Sequence, residues 1–128
     1  MVNSVVLVGR IATDPEMRYT PSGKTVTNIS IAVNEKYGDA ETTTWFRVSC
    51  WNGLAEVTNK YLSKGDLVLI EGSLRGDENG APRIWTGNDG VARASFEVIA
   101  RTVKFLKTRP RNGEEAPAEV EASDEIPF

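Results

Sequence analysis

Two-residue alternation of apolar and polar side chains governs this chain from Met1 to about Lys107, and it points to a sheet. Between Thr25 and Glu35, Ile29, Ile31 and Val33 alternate with Asn28, Ser30 and Asn34. Successive side chains on a strand take opposite faces, so this pattern buries one face and wets the other. An earlier strand is expected over Val2 to Ile11, where the run Val5-Val6-Leu7-Val8 has the density of a strand buried on both faces. Further strands are expected from about Thr43 to Trp51, from Leu67 to Leu74, and from about Val91 to Phe105. Turn chemistry separates them at Asp14-Pro15, Pro21-Ser22-Gly23, Gly38-Asp39, Asn79-Gly80 and Gly87-Asn88-Asp89-Gly90.

One segment changes period. Leu54, Val57 and Tyr61 recur at helical spacing with Leu62 beside them, and Lys64-Gly65 supplies a stop. Three strands, a helix and two more strands predict an all-β fold. It is a five-stranded OB-fold barrel with one short helix between the third and fourth strands. The barrel domain is expected over 1–107. From 108 to 123 the chain is mostly polar, and from Asn112 to Ser123 it is rich in Glu, Ala and Pro with a single Val. Such a stretch is too polar to offset the entropy of ordering, and a disordered acidic C-terminal tail is expected there.

The residue inventory narrows the chemistry. The 128 residues include no histidine, which removes His-based acid–base catalysis, Ser-His and Cys-His nucleophile pairs and most zinc sites. Cys50 stands alone, so it forms no internal disulfide and no thiolate metal site; on the inward row of its strand it reads as a small core residue. No enzyme activity, metal or cofactor is expected. No apolar run approaches the roughly 20 residues of a membrane span. The N-terminus lacks the basic start and long apolar segment of a secretory signal, and a cytoplasmic protein is expected.

Charge is unevenly spread. The net charge of −3 hides a body, residues 1–111, that holds all 15 Lys and Arg against 12 acids, a balance of +3. Residues 112–128 carry the other six acids and no base, a balance of −6. A basic body with an acidic tail can accompany nucleic-acid binding.

The third strand carries the strongest functional signal. By alternation Trp45, Arg47, Ser49 and Trp51 share one face, while Phe46, Val48 and Cys50 face the core. Two tryptophans around an arginine on an open face suit stacking of unpaired bases with matching of phosphates, each stacked base contributing about 1–3 kcal/mol. The same pair fits equally well under a loop or in a subunit interface. Tyr37 beside Lys36 and Trp85 near Arg83 place two more aromatics next to bases at turns. The C-terminus ends Asp124-Glu125-Ile126-Pro127-Phe128, where two large apolar residues follow two acids at the end of a polar stretch. A terminal ring with its α-carboxylate is a docking element for a pocket with a cation.

Several segments, in order and spacing, resemble the bacterial single-stranded DNA-binding protein family. They are Val-Asn-Ser-Val-Val-Leu-Val-Gly at 2–9, Asp-Pro-Glu-Met-Arg-Tyr at 14–19, Trp-Phe-Arg-Val at 45–48 and Leu-Ala-Glu-Val at 54–57. Tyr-Leu-Ser-Lys-Gly-Asp at 61–66, Ile-Glu-Gly-Ser-Leu at 70–74 and the tip at 124–128 complete the match. The resemblance implies an OB-fold that binds single-stranded DNA without sequence preference in replication, recombination and repair. It places the stacking aromatics on Tyr37, Trp45, Trp51 and Trp85. Phosphate and backbone contacts are expected from Arg10, Arg18, Arg47, Lys64, Arg75 and Arg83. It also implies a homotetramer, and a tip, Asp124 to Phe128, that recruits replication and repair proteins. The alternative is an OB-fold RNA-binding or protein-interaction module. The sequence departs from the family pattern at Phe46, where histidine is frequent, and in the longer stretch from Gly76 to Arg83.

Overall fold

In the computed structural model, which describes residues 1–110 and 115–122, the alternating rows close on themselves as a barrel. The elements run β1 (Val5–Ile11), β2 (Glu16–Tyr19), β3 (Thr25–Tyr37), β4 (Ala40–Trp51) and α1 (Gly53–Tyr61). They continue with β5 (Leu67–Arg75), β6 (Arg83–Thr86), β7 (Ala92–Lys107) and β8 (Glu119–Glu121). The hydrogen-bonded path β1-β5-β7-β4-β3 returns to β1 through Arg10↔Ala32 and Ile11↔Ile31, which makes a closed barrel of the five expected strands. The helix stands between β4 and β5, as the change of period predicts.

The inward rows fill the barrel. Ile29 and Ile31 of β3, Val48 and Cys50 of β4, Val68 and Ile70 of β5, and Val98, Ala100 and Val103 of β7 are all buried. Burial pushes the Cys50 thiol up to about 12, partly opposed by a hydrogen bond with Thr58. The thiol therefore stays protonated and behaves as a small core group.

Three details differ from the sequence expectations. The run Val5 to Val8 is buried on one side only: Leu7 faces the core, whereas Val6 and Val8 are 60% and 46% exposed. Apolar residues on both faces of β1 did not distinguish a strand covered by its own chain from one with an uncovered outer row. Second, α1 buries Leu54, Ala55 and Thr58, with Leu62 just beyond it, while Val57 and Tyr61 are half-buried. Two small residues turn inward because they let the helix backbone approach the barrel. Thr27 Oγ1 donates to Ala55 O at 2.6 Å and Thr58 Oγ1 to Leu54 O at 2.8 Å, so the buried hydroxyls are paired. Third, Glu119–Glu121, inside the stretch expected to be a disordered linker, instead forms β8 on Thr102–Lys104. Val120, the single Val of that stretch, packs against the core with Ala122. The tip residues Asp124, Glu125, Ile126, Pro127 and Phe128 lie outside the described residues.

Two short strands extend the barrel sheet. β2 pairs with β3, bringing Arg18 level with Val26. The Asn79-Gly80 turn is held by Asp77, whose Oδ1 accepts from the N–H groups of Asn79 and Ala81 at 2.9 Å. It delivers β6 to the first residues of β7, forming a two-stranded arm beyond the barrel. Asn52 joins β4 to α1 in one step with φ of 57° and ψ of −127°, a positive-φ conformation outside the left-handed helical well and one that glycine adopts most readily.

Close approach of strands fixes two glycines. A Cβ on Gly9 would meet Ala32 O at 2.5 Å and Ile31 Cγ2 at 2.6 Å, where β1 leaves β5 for β3. On Gly72 it would strike the Ile99 carbonyl, beside the register shift between β5 and β7. Gly72→Ala should therefore destabilise by about 1–3 kcal/mol or more, as overpacking does. Gly53→Ala, at the start of α1 with open space around it, should be neutral or stabilise by up to about 1 kcal/mol. Urea unfolding of both variants measures the contrast.

Candidate nucleic-acid interface

The outward row of β4 supplies the site. Trp45, Arg47, Ser49 and Trp51 stand on it, level with Ala32, Ser30, Asn28 and Val26 of β3. Val48 and Cys50 between them are buried, which holds the strand and leaves the row no choice of face. Trp45 is 58% exposed. The β6–β7 arm brings Trp85, 40% exposed, over the same region.

Trp45 and Trp85 line one cleft of about 480 Å³ with Ser30, Phe46, Arg47 and Arg93. Arg93 is level with Trp85 on the neighbouring strand and holds Asp89 at 2.6 Å. The Arg83 guanidinium carbon lies 5.8 Å from the Trp85 ring centroid, a cation–π contact that steadies the ring at the arm's base. Next to this aromatic cleft is a smaller polar one of about 120 Å³, lined by Asn28, Arg47, Ser49, Arg75, Arg83 and Glu97. Arg47 belongs to both. A slot for a flat ring and a slot for an anion thus share a wall.

The other expected residues are spread out. Trp51 is six positions along β4 from Trp45, about 20 Å at strand rise. It is half-buried, and its indole N–H is enclosed without a hydrogen-bond acceptor among the described residues. Arg18 and Trp51 flank Val26 on the same face, so this end of the sheet repeats the pairing of a ring and a cation. Arg10 and Trp45 flank Ala32 in the same way. Arg10 Nη1 also donates to Gly65 O at 3.0 Å, beside the exposed Lys64, whose backbone N–H donates to Asp14. Tyr37 is exposed near the β3–β4 turn, level with Ala40, and falls in the row of Val33 rather than that of Trp45. Its hydroxyl donates to Glu35 Oε2 at 2.5 Å, and that bond together with the Glu35 charge raises the phenol pKa.

The structure therefore joins Trp45, Trp85, Arg47, Arg75 and Arg83 into two adjoining clefts, and leaves Tyr37 and Trp51 elsewhere on the β3–β4 pair, Arg10 on β1, Arg18 on β2 and Lys64 in the α1–β5 connection. Arg93 and Glu97 were missed. Arg93 had a signal: it and Trp85 lie two positions either side of the five-residue connection 87–91, as hairpin partners do. Glu97 had none, because an acid inside a basic face follows no periodic rule.

Comparison with known proteins agrees with this geometry. The chain matches the single-strand binding protein family over residues 2–106. It is 41% identical over 130 residues to the single-stranded DNA-binding protein of Thermotoga maritima, covering 98% of this chain and 86% of that one. It is 37% identical over 123 residues to the protein of the same name from Neisseria meningitidis serogroup A, covering 92% and 67%.

The unequal exposure of the three tryptophans is measurable. Acrylamide should quench Trp45 and Trp85 and spare Trp51. The Trp51→Phe variant should then show a higher mean quenching constant than the parent, and Trp45→Phe and Trp85→Phe lower ones. The opposite order would place the Trp51 ring in solvent.

Proposed function

The chain belongs to the single-strand binding protein family, and on that premise we propose that it binds and protects single-stranded DNA without sequence preference. The observation that carries this reading is the shared wall at Arg47, which sets the Trp45–Trp85 cleft against the arginine-lined one. Every base offers a π-face, so stacking on Trp45, Trp85, Trp51 and Tyr37 is indifferent to sequence. Phosphates between the stacked bases meet Arg47, Arg75 and Arg83, with Arg10, Arg18 and Lys64 serving the flanks. Duplex DNA keeps its rings stacked inside the helix and offers the clefts only phosphate.

The working unit is a homotetramer. In support of this, Val5–Gly9 pair with β5 on one edge and, among the described residues, leave the other edge open, and Val6 and Val8 hold an apolar row outward. An open strand edge with apolar side chains is a template for a second copy. The tip from Asp124 to Phe128 recruits replication, recombination and repair proteins by offering a ring and two acids.

Oligothymidine should quench the tryptophan fluorescence strongly. Trp45→Ala and Trp85→Ala should each weaken binding by about 1–3 kcal/mol without unfolding the barrel. Equal affinity for duplex and single strand, or parental binding by both variants, would replace stacking with a general basic surface. An interface-only role would show as no oligothymidine binding even at low salt.

For the tip, removal of Asp124–Phe128 should leave thermal stability and native mass unchanged and abolish capture of a replication or repair enzyme. The exchange Phe128→Ala in the isolated tip peptide should have the same effect on capture. A peptide that docks equally well without the ring would show that charge alone is read.

A further inference from the structure

Glu97 is an acid in the middle of the cationic cleft, and its surroundings are those of a phosphate. On β7 it is level with Arg47 of β4 on one side and with Arg75 of β5 on the other. Neighbouring strands lie about 4.8 Å apart, so both arginines leave the sheet directly beside it on the same face. Arg83 closes the third side from the arm, Nη1 donating to Glu97 Oε1 at 3.2 Å. Ser95 Oγ donates to the same oxygen at 3.4 Å. The Glu97 side chain keeps 20% of its surface and Arg83 half of its own, so the pair is reachable from solvent.

We infer that Glu97 is a built-in competitor of the DNA backbone: it occupies Arg83 in the free protein, and an incoming phosphate must take Arg83 from it. This rests on the proposed single-stranded DNA binding. The consequence is electrostatic. When a phosphate meets an unpaired arginine, the DNA releases a condensed counterion. When the arginine comes from Glu97, the freed carboxylate takes up a cation, and the net release is cancelled. Glu97 thus limits both the affinity and the salt dependence of binding, and holds Arg83 beside the strands that carry Arg47 and Arg75 when no DNA is present.

The test is the exchange Glu97→Gln, which keeps shape and removes charge. Oligothymidine affinity is measured by fluorescence titration across a salt series, and thermal unfolding of the variant confirms the fold. The expected result is about threefold tighter binding at low salt, the size of one partly exposed ion pair. The log–log salt slope should also steepen by about 0.7, one further net counterion on a single strand. In an Arg83→Gln background the same exchange should lose most of its gain, because the contested cation is gone. Unchanged affinity and slope, with the parent binding normally, would overturn the proposal by placing Glu97 outside the phosphate path. Weaker binding by Glu97→Gln would overturn it too, making Glu97 a group that the complex needs. Failure of the parent to bind oligothymidine would remove the DNA reading itself, and the competitor with it.

Discussion

The barrel and the site both depend on one strand, β7, and on the partners it holds along its sixteen residues. Its first four residues pair with β6 and make the arm. Phe96 to Ile99 run parallel to β4 from Phe46 to Ser49, while Glu97 to Lys107 run antiparallel to β5. The short parallel contact joins two halves of the sheet that would otherwise end in open edges. It also fixes, by register, which side chains meet. Because Phe46 is level with Phe96, Arg47 must be level with Glu97. A shift of one residue would turn Val98 and Ala100 outward and take Glu97 into the core, so core packing locks the charge arrangement on the outer face.

The five barrel strands were legible because each has one buried row, and burial is what alternation reports. The same logic found the face of Trp45 and Trp51, two residues that alternation alone left open between a ligand site and an interface. It failed where the deciding neighbour is distant or small. β2 and β6 are four residues each, too short to show a period. β8 depends on the partly buried Val120 and Ala122 and on the exposed edge of β7, a long-range fact absent from the local sequence. The helix face was read from its largest residues, whereas Ala55 and Thr58 turn inward because small side chains let backbone meet backbone. Arginines were recognisable as cations, but nothing local said that Arg75, twenty-eight positions from Arg47 in the chain, stands two strands away from it.

The dispersal of the aromatics follows from the length of the β3–β4 ribbon. A small-molecule site gathers its rings into one enclosed pocket. Here Trp45 and Trp85 share a cleft, while Tyr37 and Trp51 lie apart from it along some tens of Å of strand. Separate platforms that each hold a base weakly suit a polymer, for which many contacts of about 1–3 kcal/mol act in series. Such a site needs exposed rings, and the buried Val48 and Cys50 beneath them carry the stability that the rings do not.

The net charge of the chain says little about how this face meets a polyanion. At an ionic strength near 0.15 M, charges more than about 8 Å apart are largely screened, so each cleft feels its own neighbours. On the arm, Asp89 holds Arg93 at 2.6 Å and Glu97 holds Arg83 at 3.2 Å. Asp89 reaches Arg93 of β7 from the turn that precedes that strand, Glu97 of β7 reaches across to Arg83 of β6, and both leave those cations ordered at the surface. An arginine held by a carboxylate has already lost much of its rotamer freedom, so a phosphate that takes it over meets a lower entropic barrier than with a free side chain. The opposing cost is the Coulomb attraction that must be surrendered, modest for partly exposed pairs. Preorganisation and competition are therefore two effects of the same carboxylate. At Glu97 competition prevails, because Arg47 and Arg75 rise from strands whose positions the sheet already fixes.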